Sequence, residues 1–213
     1  MKKLLFLVLV IPILFMNHGC DDNPIEPDDC DTTITAYKPN IYIYPNEKLN
    51  LSVKILFPNG GKVIESIPNY KNSWEVTVTP DGKIDDTYRY LFYECQMPDL
   101  AQKEYGWVVD KSNLKDFFNK NMVASGFSQN EITDFIEYWI PILTEYKYYE
   151  IYPQYKSTLD EMVKISYSIE PTNFYRLFYF IKGRDNNTLQ LLTPIIETAK
   201  RKNYYAVEWG VIL

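Results

Sequence analysis

Two glutamates stand in stretches of the sequence where an acidic side chain is poorly suited. Glu94 lies in the aromatic run 88–95, and Glu208 lies in the largely apolar run 204–212. Both runs are typical of β-strands, and a carboxylate on the buried face of a strand is costly unless it is paired. Arg176 is equally isolated in the run 174–181, so it is the natural partner for such a carboxylate.

These three residues allow two interpretations. In the first, a buried glutamate–arginine ion pair fixes the register of neighbouring strands. In the second, Glu94 and Glu208 form the carboxylate pair of a glycoside hydrolase, which requires a separation of about 5–9 Å between the carboxyl groups. We prefer the ion pair, because such pairs are a common structural cause of perturbed ionisable groups. Glu94, Glu208 and Arg176 therefore stay catalytic candidates only.

Histidine chemistry is excluded by composition. The single histidine, His18, falls in an N-terminal segment that we predict to be removed. The remaining domain cannot form a Ser-His-Asp or Cys-His arrangement, a His-ligated zinc site or an imidazole acid–base catalyst. Its acidic residues show no EF-hand spacing, and we predict neither a metal site nor a cofactor.

The N-terminal segment is organised as an export signal. Two lysines precede an apolar run over residues 4–15, which is too short to span a bilayer. Gly19-Cys20 resembles the end of a bacterial lipobox, although Asn17 stands where leucine is usual. We therefore expect a signal peptide over residues 1–19, a lipid anchor on Cys20, and location at the outer membrane or cell surface. Ordinary secretion into or beyond the periplasm is the alternative.

Residues 20–36 are predicted to be an acidic tether, because they hold too little apolar surface to order themselves. The stretch resembles the acidic signal that follows the lipidated cysteine of surface lipoproteins, and a generic charged linker is the alternative. If Cys20 is acylated, Cys30 and Cys95 are left as a possible disulfide in a compartment that permits one. Two buried thiols are the other interpretation.

The balance of charged and aromatic residues bears on the partners of the protein. A formal net charge of −6 and the lack of a basic stripe argue against nucleic acid. The 19 tyrosines interleave with β-branched residues, which favours aromatic packing in and around a sheet core. A face of tyrosine and tryptophan that stacks on sugars or peptides is the functional alternative.

Changes in periodicity predict an α+β fold in a single domain over residues 37–213. The first half alternates with period two and predicts an immunoglobulin-like antiparallel meander of four or five strands. The middle predicts a helix capped by Ser112 and a second helix with a capping box over residues 128–131, which together form an αα-hairpin on the sheet. Strand patterns then return up to the C-terminus. The mostly antiparallel sheet follows from this order of elements.

Four short motifs resemble those of an uncharacterised family of secreted or surface proteins from bacteria and some fungi. The family patterns are K-P-x-I-Y-L-Y-P, Y-L-F-W-E, G-F…E…F-I-x-Y-W-x-P and E-W-G-G, and this chain matches them in the same order over residues 38–210. It departs at Tyr93, where the family has tryptophan, and at Val211, where it has glycine. The resemblance implies one intact domain and no particular activity.

The sequence thus favours a non-catalytic, exported lipoprotein domain that binds a glycan or protein ligand at the cell surface. It meets the membrane through a lipid on Cys20 and has no nucleic-acid partner. The alternative is a carboxylate-dependent hydrolase that acts on extracellular glycans.

Overall fold

The computed structural model describes residues 33–213, which contain ten strands, three α-helices and one 3-10 helix. The first six strands are β1 (Thr33–Tyr44), β2 (Leu49–Leu56), β3 (Lys62–Ile67), β4 (Trp74–Val78), β5 (Leu91–Pro98) and β6 (Trp107–Asp110). The helices are the 3-10 turn Lys111–Asn113, α1 (Leu114–Ala124), α2 (Gln129–Trp139) and α3 (Lys156–Met162). The remaining strands are β7 (Tyr148–Tyr155), β8 (Lys164–Tyr167), β9 (Asn173–Arg184) and β10 (Tyr205–Ile212).

The strands form a seven-stranded sheet in the order β3-β5-β1-β10-β9-β7-β6 and a three-stranded sheet in the order β4-β2-β8. Neighbouring strands are antiparallel except β9 and β10, which are parallel. This mostly antiparallel sheet, with an αα-hairpin packed on it, confirms the predicted α+β class.

The large sheet is the middle of three layers. One face packs against the small sheet and α3 through a core that includes Ile41, Val53 and Tyr93. The other face packs against α1 and α2 through a core that includes Phe135 and Trp209. Strand residues alternate between these two cores, since successive side chains point to opposite faces of a sheet.

The N-terminal strands differ from a simple meander, because they alternate between the two sheets. β1, β3 and β5 lie in the large sheet, whereas β2 and β4 lie in the small one. Each strand contributes apolar residues to the core between the sheets, and this burial is available only if the chain crosses from one sheet to the other. β1 also begins at Thr33, so the last four residues that we assigned to the tether start this strand.

The helical hairpin follows the predicted signals at α2 and differs at α1. Ser128 accepts from the Glu131 backbone, and the Glu131 side chain accepts from the Ser128 backbone, so the predicted capping box is present. Before α1, Asp110 caps the 3-10 turn by accepting from Ser112, and Asn113 is the N-cap of α1 without a side-chain hydrogen bond. Within residues 33–213 no helix is long and apolar enough to cross a membrane.

Candidate functional site

Arg176 and Glu208 lie side by side in the core between the two sheets. They are directly paired in the parallel register of β9 and β10, and both are completely buried. Arg176 Nε donates to Glu208 Oε2 at 2.5 Å, and the Tyr93 hydroxyl donates to Oε1 at 2.7 Å. The carboxylate is thus held on both oxygens by groups from β5 and β9.

The same arginine also reaches α3. Its Nη1 donates to Asp160 Oδ1 at 2.9 Å and to the Val163 carbonyl at 2.6 Å. Burial opposes the charged form of Arg176, but the Glu208 carboxylate raises the pKa of the guanidinium above its usual range. Burial, together with Glu208, also raises the pKa of the Tyr93 hydroxyl. This network joins β5, β9, β10 and α3, and a ligand could not contact the Arg176–Glu208 pair without displacing the core.

Glu94 lies on the opposite face of the large sheet. Its neighbours Tyr93 and Cys95 belong to the core between the sheets, so alternation directs Glu94 towards the α2 side. Its Oε1 accepts a hydrogen bond from the backbone of Lys38 at 3.3 Å, and burial raises the pKa of its carboxyl group. Glu94 and Glu208 therefore do not share a cleft, and together they do not form the pair that glycoside hydrolysis requires.

The predicted cysteine roles depend on residues outside the described part of the chain. Cys20, the expected lipid anchor, and Cys30, the possible disulfide partner, both precede residue 33. Cys95 is completely buried in β5, and burial raises the pKa of its thiol above the usual range. Both the lipidation and the disulfide stay predictions.

A second polar cluster lies between β1 and α2, on the helix side of the sheet. Tyr42 and Tyr44 are two residues apart, which places them on one face of β1. Glu131 and Asp134 are three apart, which places them on one face of α2. The Tyr42 hydroxyl donates to Asp134 Oδ2 at 2.9 Å, and the Tyr44 hydroxyl donates to Glu131 Oε1 at 2.7 Å.

Each of these two carboxylates also meets an arginine. Arg201 binds both Glu131 oxygens at 2.8 and 3.0 Å, and Arg89 forms an ion pair with Asp134. Burial opposes the charge of Arg201, but its hydrogen bonds to Glu131 raise its pKa above the usual range. Burial raises the pKa of Tyr42 and of Tyr44, and the neighbouring carboxylates act in the same direction. Both tyrosines therefore stay protonated donors.

A cavity of about 290 Å³ adjoins this cluster. It is lined by two tyrosines and by polar residues from the 79–89 loop and the start of α2: Tyr42, Tyr44, Asp81, Gly82, Lys83, Arg89 and Asn130. Lys83 and Asn130 are exposed, and 60% of the Arg89 side chain is accessible. The cavity therefore combines aromatic rings with solvent-facing hydrogen-bonding groups. We call it the β1–α2 pocket.

Gly82 brings the loop onto the floor of this pocket. Its φ of +84° disfavours any residue with a side chain, and a Cβ there would lie 2.6 Å from Cε1 of Tyr44. On its other side the Tyr44 ring stacks on Tyr205, with 5.0 Å between ring centroids and an interplanar angle of 27°. Tyr44 is thus fixed by packing and by its hydrogen bond to Glu131.

This pocket was not predicted from the sequence. The tyrosines of β1 indicated only a strand, and Glu131 indicated only a helix cap. The spacing of the two tyrosines at i, i+2 in β1 and of the two acidic residues at i, i+3 in α2 indicates that each element carries polar groups on one face. No pattern would have identified Arg89 and Arg201, because both lie in irregular segments whose course depends on the tertiary fold.

Comparison with protein-family models, with curated proteins and with solved structures finds no match for this chain.

Proposed function

We propose that this protein is a non-catalytic binding domain of the bacterial cell surface that takes a glycan in the β1–α2 pocket. The observation that carries the proposal is the composition of the pocket. Its rim of donors and acceptors can bind the hydroxyl groups of a polyhydroxylated ring, above a floor formed by two tightly packed tyrosines. Binding sites of this kind are concave and place a few polar groups around an apolar surface.

The polar rim suits hydroxyl groups. Asn130 offers both a donor and an acceptor, Asp81 offers acceptors, and Lys83 and Arg89 offer donors. Because Asp134 already pairs with Arg89, opposite charges largely balance around the cavity. A neutral sugar therefore fits the rim better than a strongly charged ligand does.

The floor is rigid before a ligand arrives. Tyr44 lies between the Gly82 backbone and the Tyr205 ring, and Arg201 lies 5.3 Å from the centroid of the Tyr44 ring. Tyr42 is held by Asp134 and lies 5.3 Å from Tyr90 in an edge-to-face contact. A site whose side chains are already ordered loses little conformational entropy on binding, which favours affinity.

The hydrolase alternative gains no support from its candidate residues. Glu208 is enclosed with Arg176 between the sheets, and Glu94 faces the other side. In the β1–α2 pocket, Glu131 is completely buried and bonded to Arg201, Tyr44 and Ser128. Binding is therefore the function that the geometry supports best.

A glycan array probed with the purified mature protein tests the proposal. We expect binding to a subset of neutral glycans, and we expect Asn130→Ala to weaken it by about tenfold, the cost of one or two hydrogen bonds to the ligand. Lys115→Ala is the matched control, because Lys115 is exposed on α1 away from the pocket. Binding that Asn130→Ala leaves unchanged, or no binding to any glycan, would contradict the proposal.

We further propose that the domain is exported and anchored through Cys20, as the N-terminal segment indicates. Mass spectrometry of the mature N-terminus is the measurement. A diacylated or triacylated Cys20 is expected, and an unmodified start at another residue would exclude the anchor.

A further inference from the structure

The outer side of β3 is a free strand edge. β3 bonds to β5 on its inner side, and within residues 33–213 no other backbone pairs with its outer side. With six residues it is the longest of the four outer strands, since β4 has five and β6 and β8 have four each. The edge of β4 is also partly occupied, because Asp85 N donates to the Thr77 carbonyl at 2.8 Å. Free edges are templates for the addition of another strand.

Two isoleucines of β3 are exposed to solvent. The accessible fraction is 48% for Ile64 and 49% for Ile67. Ile64 is the extra residue of a bulge, because the pairing with β5 skips it between Val63 and Glu65. An apolar edge favours association, whereas a bulge can oppose it. The charged side chains beside the bulge therefore decide whether a second strand fits.

The bulge places Lys62 and Glu65 on the same face of the sheet. Lys62 pairs with Gln96 of β5, and Glu65 pairs with Glu94. Gln96 and Glu94 are two residues apart, so they point to one face, and their partners share it. In a regular strand, residues three apart point to opposite faces. The free edge thus carries a positive and a negative side chain on one face, separated by two apolar residues.

Glu65 meets a like charge on the inner side of β3. It lies directly opposite Glu94, and like charges in this position destabilise a strand pair. Burial raises the pKa of Glu94, and the charge of Glu65 acts in the same direction. The ammonium of Lys38 is near both glutamates, but it packs 4.2 Å from the centroid of the Phe92 ring. Among the described residues neither glutamate forms an ion pair, so a cation brought to the outer side of Glu65 would relieve the repulsion.

We propose that two copies of this chain associate through β3, antiparallel about a two-fold axis, with Lys62 of each copy opposite Glu65 of the other. The symmetry forms this ion pair twice. In the same register Val63 lies opposite the partner's Ile64, so apolar residues also meet apolar residues. The partner's Lys62 supplies the cation that the Glu65–Glu94 pair lacks. The two large sheets then become one continuous sheet.

A purely protective role of the two charges makes the opposite prediction. In that role Lys62 and Glu65 keep other strands away from the edge, and the protein stays monomeric. The proposal instead predicts a weak dimer, because six residues a side are far fewer than the roughly 20–30 of a standard interface. The dimer goes beyond glycan binding and does not depend on it. That its two β1–α2 pockets would hold repeated glycans with avidity is a consequence that does rest on the proposed function.

Analytical ultracentrifugation of the mature protein, in a mild detergent that disperses a lipid anchor, tests the association. We expect monomer at about 1 μM and a growing dimer fraction towards about 1 mM. Hydrogen exchange at the two concentrations should show added protection at the backbone amides of β3 and none at β6, the other outer strand of the large sheet. Ile64→Lys should abolish the dimer. Ile142→Lys is the matched control, because Ile142 is 47% exposed and lies outside β3.

Charge reversal tests the register. Lys62→Glu and Glu65→Lys should each raise the dissociation constant about tenfold, because each creates two like-charge pairs in the interface. The double variant Lys62→Glu/Glu65→Lys restores both pairs in reverse and should return the dissociation constant to that of the parent. Lys115→Glu/Glu65→Lys has the same net charge without the complementary pair, so it should stay as weak as Glu65→Lys. Circular dichroism checks that each variant is folded.

Monomer at every concentration would overturn the proposal. A dimer that Ile64→Lys and the charge reversals leave unchanged would also overturn it, because that dimer would use another surface. Protection of the β3 amides in a monomer only after a lysine-rich peptide is added would assign the edge to a different chain and exclude the second copy. Because no glycan enters these measurements, their failure is distinct from a failure of glycan binding.

Discussion

Two clusters of this molecule use the same three kinds of residue in different surroundings. Between the sheets, Glu208 is held by Arg176 and Tyr93, and both charged residues are completely buried. Between β1 and α2, Asp134 is held by Arg89 and Tyr42, and most of the Arg89 side chain is accessible. Each carboxylate accepts from one arginine and one tyrosine.

Burial separates their roles. Breaking the inner cluster costs much free energy of unfolding, because a charge that loses its partner there cannot be solvated by water. In the outer cluster water can reach Arg89, so this arginine can exchange its contact with Asp134 for a contact with a ligand. Residue type alone therefore does not distinguish the two clusters, whereas access to solvent does.

The largest expected effect tests the inner cluster. Arg176→Met leaves the Glu208 carboxylate buried with Tyr93 alone, and we expect a loss of about 3–5 kcal/mol in the free energy of unfolding. Urea unfolding followed by tryptophan fluorescence measures it. The double variant Arg176→Met/Glu208→Gln should recover part of this loss, because it no longer buries an unpaired charge.

Arg89→Ala is the matched change in the outer cluster. It removes an arginine from Asp134 at the surface, and we expect a cost below about 1 kcal/mol together with weaker glycan binding. An equal loss in the free energy of unfolding for Arg176→Met and Arg89→Ala would contradict the view that burial distinguishes the two clusters.

Alanine substitutions at two glycines test how tightly the pocket floor is packed, and we expect their effects on stability to be smaller. Gly60 and Gly82 share a positive φ, but a Cβ at Gly60 meets nothing within 4 Å, whereas one at Gly82 meets the Tyr44 ring. We expect Gly60→Ala to lower the free energy of unfolding by about 1 kcal/mol, because it introduces backbone strain alone. Gly82→Ala should lower it by about 2–3 kcal/mol, because the new methyl group also clashes with the Tyr44 ring. Thermal unfolding measures both.

Only Gly82→Ala should also reduce glycan binding, because it alone displaces Tyr44. Similar binding by the two alanine variants would argue that the position of Tyr44 is irrelevant to the ligand.

Local signals in the sequence predicted the local structure well. The capping box at Ser128 and Glu131 is present as expected, and so are the hairpin and the apolar strands that follow it. The pairing of Arg176 with a glutamate also followed from elementary physics, because an isolated charge in an apolar strand needs a partner. Such signals depend on few residues that lie near one another in the chain.

Long-range arrangement could not be predicted in the same way. Whether Glu94 and Glu208 share a face depends on how β5 and β10 pair with β1, and β1 itself contains a bulge around Lys38. Arg201 reaches Glu131 from the irregular segment between β9 and β10, whose path no periodicity encodes. The β1–α2 pocket is therefore a property of the tertiary fold.

β1 fixes the position of the pocket floor within the large sheet. The strand runs for 12 residues from Thr33 to Tyr44, a rise of about 36 Å, and its Tyr42 and Tyr44 are paired with Val207 and Tyr205 of β10. A displacement of these tyrosines would therefore break the pairing at the centre of the large sheet. A ligand must consequently adapt to the floor of the pocket rather than reshape it.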